Sequence, residues 1–354
     1  MNKNMTTQTF ATAARSVVRE LRASKIREVA NAGLGKANML AFWFGEPDEP
    51  TAEDVCAVTI RHLQAGDTFY VQNYGLPGLR QRIADYVSAF HTPRTIDNIA
   101  VTSSGMSALS IVVQALVGHG DRVVAVTPLW PNLVEIPKVL GAQVTTVSLE
   151  FDRKGWQLDL DKLLAALTPD TRALMINSPN NPTGWTMTAD EQRAVLAHCR
   201  QHGIWIITDE VYERYYFEGQ CAPSFLDIAD PQERVVSCNS FSKTWLMTGW
   251  RVGWIVAPAN LIGDIGNLIE YNTSCAPAFV QHAADYAMAN GEVTVKRTVD
   301  RLKNARDFLA AGLSDIPRIQ SAPVATGAMY SFFKVDGVDD SLQFCKTLVN
   351  EAGL

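Results

Sequence analysis

Seven short apolar or β-branched runs, at 99–102, 122–126, 143–149, 172–177, 203–208, 234–238 and 252–257, recur through the middle of the chain. Helix-like stretches such as 108–117 and 189–201 lie between most of them. No other feature restricts the fold as much. Strands that are apolar throughout, rather than alternately apolar and polar, must be covered on both faces, and helices in the connections supply that cover. The pattern predicts an α/β fold with a mixed, mostly parallel seven-stranded sheet and helices on both faces. In such sheets ligands sit outside the carboxyl ends of the strands, so function is expected in the residues just after each run.

The flanks read differently. Residues 51–65 and 76–91 are predicted helical, and Leu40 to Asp48 is a strand-like apolar run closed by Gly45 and Pro47. Residues 16–29 read as one amphipathic helix through Val17, Val18, Leu21, Ile26 and Val29. Beyond about Val280 the pattern is helical, then strand-like at 327–335 and helical at 341–351. The expected organisation is one large unit, 46–288, and a smaller α/β unit built from 1–45 and 289–354.

Composition narrows the function. With 354 residues, 47% of them apolar, the chain can build a large core without staples. Its net charge of −6 opposes a nucleic-acid or anionic-membrane surface, and no apolar run approaches the roughly 18 residues that span a bilayer. Six scattered cysteines with no C-x-x-C pair read as small buried hydrophobes. The first 19 residues, rich in Thr and free of acids, weakly imitate a transit peptide but lack a signal-peptide apolar core. The expectation is a cytoplasmic enzyme.

The densest chemistry is Ser240-Phe-Ser242-Lys243-Thr-Trp-Leu-Met-Thr-Gly249-Trp-Arg251-Val-Gly253, directly after a predicted strand. Lys243 is the only formal charge between Arg234 and Arg251. Burial lowers a lysine pKa and suits a Schiff-base nucleophile, while two hydroxyls and an arginine suit a phosphate. A snorkelling loop lysine fits the local composition equally well. Other strand ends add an acid and a phenol (Asp209, Tyr212), an amide (Asn181 in Asn177-Ser-Pro-Asn-Asn-Pro-Thr-Gly184), and an aromatic (Trp130). Ser104-Gly105-Met106 opens a helix whose free N–H groups could meet an anion. Taken singly these are a cap, a turn and a core residue. Five strand ends, each with one ligand group, argue for a site.

In this order the residues resemble the pyridoxal 5′-phosphate-dependent aminotransferases of fold type I, class I/II, from about Ser24 to the last residue. The motifs that carry the resemblance are Ser-x-Ser-Lys followed by Gly-x-Arg-x-Gly, Asn-Pro-Thr-Gly, and Asp-x-x-Tyr. The resemblance implies a Lys243 Schiff base with the cofactor, after which the lysine shuttles the proton. It implies Asp209 on the pyridine nitrogen, Tyr212 and Asn181 on the 3′-oxygen, and Trp130 stacked on the ring. Ser104, Gly105, Met106, Ser240, Ser242 and Arg251 would cradle the phosphate. Tyr70 would reach the phosphate of a neighbouring subunit, implying a homodimer with shared sites, and Gly45 would approach the substrate carboxylate. The implied reaction is a ping-pong exchange between an L-amino acid and a 2-oxo acid.

Two departures and several competitors complete the reading. The family's arginine for the substrate carboxylate lies beyond a Pro-Gly near the C-terminus, and this sequence stops at Glu351-Ala-Gly-Leu354. Full activity is therefore expected to need residues beyond Leu354 or an arginine from elsewhere. Met106 stands where some aspartate-type members carry lysine, which argues against a strict preference for acidic substrates. A carbon–sulfur β-lyase or cyclopropane-forming synthase shares the cofactor residues and is the alternative. Ser240-x-x-Lys243 lacks the companion motifs of penicillin-binding proteins. Gly33-Leu-Gly35-Lys36 completes no nucleotide fingerprint, and His198 and His202 lack the glutamate of H-E-x-x-H. The His pair reads as solvent-facing rather than metal-binding, and an aminotransferase-like DNA-binding regulator is opposed by the charge and the short N-terminal segment.

Overall fold

The computed structural model describes residues 14–21, 24–152, 155–320 and 324–354. Of the 19 acid-free residues on which the transit-peptide comparison rests, 1–13 lie outside the described residues. Seven strands form the main sheet: β1 (Ile99–Thr102), β2 (Arg122–Thr127), β3 (Gln143–Ser148), β4 (Thr171–Asn177), β5 (Trp205–Asp209), β6 (Val235–Ser240) and β7 (Gly253–Val256). Their order is β1-β7-β6-β5-β4-β2-β3. β3, β2, β4, β5 and β6 run parallel to one another, whereas β7 is antiparallel to both β6 and β1. The five parallel carboxyl ends, that of β1 and the start of β7 therefore share one edge of the sheet. That single fact gathers segments that lie far apart in sequence.

Alternation along each strand divides the core into two layers. Val124, Val126, Leu174, Ile176, Ile206 and Trp254 face a core completed by the helices Glu53–Gln64, Pro77–Phe90, Ala189–His202 and Ala278–Asn290. Val123, Ala125, Ala173, Met175, Ile207 and Ile255 face the other, covered by Gly105–Leu116, Asn132–Val139 and Ala259–Asn272. The α/β expectation holds, with strand ends displaced by one or two residues.

The flanks need correction. The run from Leu40 to Asp48 forms no strand. Its Phe42 is 76% exposed, and its backbone makes isolated hydrogen bonds rather than a ladder, Leu40 N–H donating to the Gly353 carbonyl at 2.8 Å and Glu46 N–H to the Phe44 carbonyl at 2.9 Å. Residues 16–29 are not one helix: Ser16–Arg19 ends before a second begins at Lys25–Gly33, where the Ser24 hydroxyl accepts the Arg27 N–H at 3.3 Å. A serine that caps a new helix is a better fit there than a serine inside a long one. Of 327–335 only Lys334–Val335 is strand, paired with Ile319–Gln320. The closing helix Ser341–Thr347 widens into a π turn at Leu348–Ala352. The two terminal segments meet: Lys346 pairs with Glu28, and Lys36 Nζ donates to Asn350 Oδ1 at 2.8 Å.

Candidate active site

β5 ends on Asp209 itself, pinned between Asn177 of β4 and Cys238 of β6 in register. The carboxylate is 6% exposed, and burial pushes its pKa up to about 6 against the opposing pull of the Val211 N–H, at 3.3 Å, and the Lys243 charge. Lys243 follows β6, its carbonyl accepting the Tyr215 hydroxyl at 2.6 Å. Its Nζ donates to the Gly45 carbonyl. Burial lowers its pKa to about 8, with the Arg251 charge adding and those of Glu46 and Asp209 opposing. The snorkelling reading is thereby excluded, since the amine points inward.

Around these two groups lies a cleft of about 590 Å³, lined among others by Gly105, Met106, Trp130, Asn181, Tyr212 and Ser240. Gly45, Ser242 and Arg251 line it as well. One of the residues expected there is elsewhere. The Ser104 hydroxyl accepts the Ser107 N–H at 3.0 Å and so caps the Gly105–Leu116 helix rather than facing the cleft. Tyr70, expected at the site of a neighbouring subunit, is 87% exposed and does not line the cleft of its own chain. His198 also departs from expectation, since its ring meets the Leu167 carbonyl at 2.7 Å instead of facing solvent.

The donor set fits pyridoxal phosphate. The Ser240 and Ser242 hydroxyls lie 2.8 Å apart, and Arg251, in the left-handed region at φ 57°, is turned onto the Thr248 carbonyl at 2.7 Å beside them. A Cβ at Gly105 would press to 3.0 Å from the Ser240 Cβ, so the glycine keeps the helix start open to an anion. Trp130 offers a half-buried ring, and the Asn181 side chain has no hydrogen-bond partner among the described residues.

Gly253 holds the same corner from behind: an added Cβ would sit 2.6 Å from both the Asn239 carbonyl oxygen and the Gly105 nitrogen. Backbone cannot swing aside. Gly253→Ala is expected to destabilise the fold by about 2–4 kcal/mol and to weaken cofactor binding. Gly249→Ala, with nothing within 4 Å, should do neither. Denaturant unfolding and cofactor titration of both variants check this.

Sequence reasoning missed Tyr330. Its hydroxyl lies 2.5 Å from that of Tyr212, and a Cβ at Gly45 would collide with it. Burial raises the pKa of both phenols, so the pair shares protons without ionising near neutral pH. No local signal could have found it: the contact spans 118 residues. Ser24, Arg27, Trp43 and Glu46 also line the cleft, brought there from the N-terminal flank.

Comparison with known proteins agrees with this geometry. Residues 37–354 match the family model for aminotransferase class I and II. An aspartate aminotransferase of Musicola paradisiaca is 31% identical over 83% of this chain and 74% of its own length. An arginine–pyruvate transaminase of Pseudomonas aeruginosa is 32% identical over 78% of this chain and 70% of its own. Among solved structures, N-succinyldiaminopimelate aminotransferase of Mycobacterium tuberculosis superposes with a TM-score of 0.89 at 29% identity, covering 96% of this chain and 89% of that one. The chain belongs to the class I and II aminotransferases, enzymes that act with pyridoxal phosphate.

Proposed function

We propose that this chain moves the amino group of an L-amino acid to a 2-oxo acid in two half-reactions at one cleft, with Lys243 as cofactor anchor and proton carrier. The observation that supports it is an inward-facing amine, its pKa lowered to about 8, sharing the cleft with a buried carboxylate at the sheet's carboxyl edge. When bound, pyridoxal phosphate supplies an aldehyde that captures amines and a ring that accepts the electron pair freed when a bond to Cα breaks.

The residues do the rest. The lowered pKa leaves Lys243 Nζ partly neutral near neutral pH, able to attack as a nucleophile and then to accept the Cα proton of the substrate. The Asp209 carboxylate would hold a proton on the ring nitrogen, and its burial makes that charge pairing strong. Tyr212 and Asn181 would hydrogen-bond the ring's 3′-oxygen, and Trp130 would cover one ring face. Ser240, Ser242, Arg251 and the N–H groups of Gly105 and Met106 would hold the phosphate. The Gly45 backbone would lie beside the substrate carboxylate, and Ser104 would act only through the helix it caps.

The same reading makes 46–288 the cofactor-holding unit and the two terminal segments a substrate-covering one. It also makes the active form a homodimer. Phe69 and Tyr70, 82% and 87% exposed, are an unusual pair of rings to leave in water, and Tyr70 of the partner subunit would complete the phosphate site. The compartment we infer is the cytoplasm, in keeping with six cysteines that are all free. No described helix is long and apolar enough to cross a membrane.

The test is a half-reaction. One amino acid added to the holoenzyme, without an acceptor, should yield about one equivalent of its 2-oxo acid per site and then stop until a 2-oxo acid is supplied. Continuous release of pyruvate with ammonia or sulfide would make the enzyme a β-lyase instead.

A further inference from the structure

Five charged residues line the cleft: Arg27, Glu46, Asp209, Lys243 and Arg251. The last three have roles in transamination. Glu46 acts on Lys243, raising its pKa against the effect of burial. Arg27 remains. Among the described residues no carboxylate pairs with its guanidinium, which lies over the Phe44 ring at 5.8 Å from the centroid. Phe44 precedes Gly45, whose carbonyl takes Lys243 Nζ, so the guanidinium is linked to the reacting amine through one aromatic ring and one peptide.

Its backbone is fixed. The Ser24 hydroxyl caps its N–H at 3.3 Å, and the adjacent Glu28 pairs with Lys346, fastening the Lys25–Gly33 helix to the C-terminal segment. The same cleft is also lined by the apolar side chains of Ile26, Trp43, Met106 and Leu109. A cleft lined by both apolar side chains and an unpaired arginine suits a substrate whose short methylene chain carries a second anionic group. A planar guanidinium binds a carboxylate through two parallel hydrogen bonds.

We propose that Arg27 recognises the side-chain carboxylate of dicarboxylic amino acids and of their 2-oxo acids. This rests on the cleft being the aminotransferase site. It supplies from the N-terminal helix the cation that Met106 does not provide, and it makes acidic substrates acceptable where position 106 alone argued against them.

The test compares the holoenzyme with Arg27→Gln and Arg27→Lys. Arg27→Gln should lower kcat/KM for aspartate, glutamate and 2-oxoglutarate about 10- to 100-fold, while alanine and pyruvate change less than about 3-fold. Arg27→Lys should recover part of the loss. Succinate, which cannot react, should bind the holoenzyme about 10-fold more weakly after Arg27→Gln, with propionate unaffected. Equal losses for both substrate classes, or none, would overturn the assignment while leaving the aminotransferase reading intact. An enzyme that processes no amino acid would instead defeat that reading, and succinate binding would still decide the role of Arg27.

Discussion

Replacing Lys243 with alanine is expected to abolish turnover and, at the same time, to make the apoprotein more stable. The loss should exceed about 10⁴-fold in kcat, because one residue supplies both the covalent anchor and the proton carrier. The gain follows from burial. The folded protein lowers the Lys243 pKa from 10.5 to about 8, so below about pH 8 the folded state holds a charged amine in surroundings that disfavour it. A depressed lysine pKa adds stability above the unfolded value, and that stability is lost as pH falls through the folded one. At pH 7 the penalty is fully present, and its removal should stabilise the apoprotein by about 1–3 kcal/mol, less whatever packing the aliphatic stem provided. Thermal unfolding of apo wild type and variant at pH 7 and pH 10 checks the sign. The advantage of Lys243→Ala should shrink at the higher pH, and a variant less stable at both would refute the reading of a strained amine.

Asp209→Asn carries the second large effect. Asparagine keeps the shape but removes the charge expected to hold the ring nitrogen protonated. The fall in kcat should reach about 10²–10⁴-fold, with partial recovery in Asp209→Glu. Here the stability sign is the reverse of an ordinary surface acid. The folded state raises the Asp209 pKa from 3.8 to about 6, so its contribution is complete below about pH 4 and is lost as pH rises through 6. That window corresponds to about 3 kcal/mol of apoprotein stability, which should vanish from the pH profile of Asp209→Asn. Bound cofactor, by pairing the carboxylate, should flatten the same slope in wild type.

Both effects trace to groups that are legible in the amino-acid sequence. The apolar runs are long enough, and their flanking turns distinct enough, to identify seven strands, and the sheet rule then directs attention to the residues after them. Asp209, Asn181, Trp130, Lys243 and Met106 come together because the carboxyl ends of β5, β4, β2, β6 and β1 lie at one edge of the sheet. What escaped has a physical cause in each case. Leu40 to Asp48 has a strand's composition but no partner strand, and only tertiary contacts reveal that its carbonyl at Gly45 serves Lys243. Ser104 looks like an anion ligand, yet a serine before a helix is also its best cap, and the cap prevails. Tyr330 and Arg27 arrive from opposite ends of the chain, on segments whose placement depends on contacts made with each other's neighbourhood rather than on local pattern.

Turnover, cofactor loading and the pH-linked stability all depend on one amine being the point of attachment. Borohydride reduction of the holoenzyme, followed by peptide mapping, is the sharpest test of that assignment. The expected result is a single modified peptide with the cofactor's mass on Lys243, and none in Lys243→Ala. Cofactor mass on any other lysine, or no fixed mass after full loading, would be incompatible with Lys243 as the anchor.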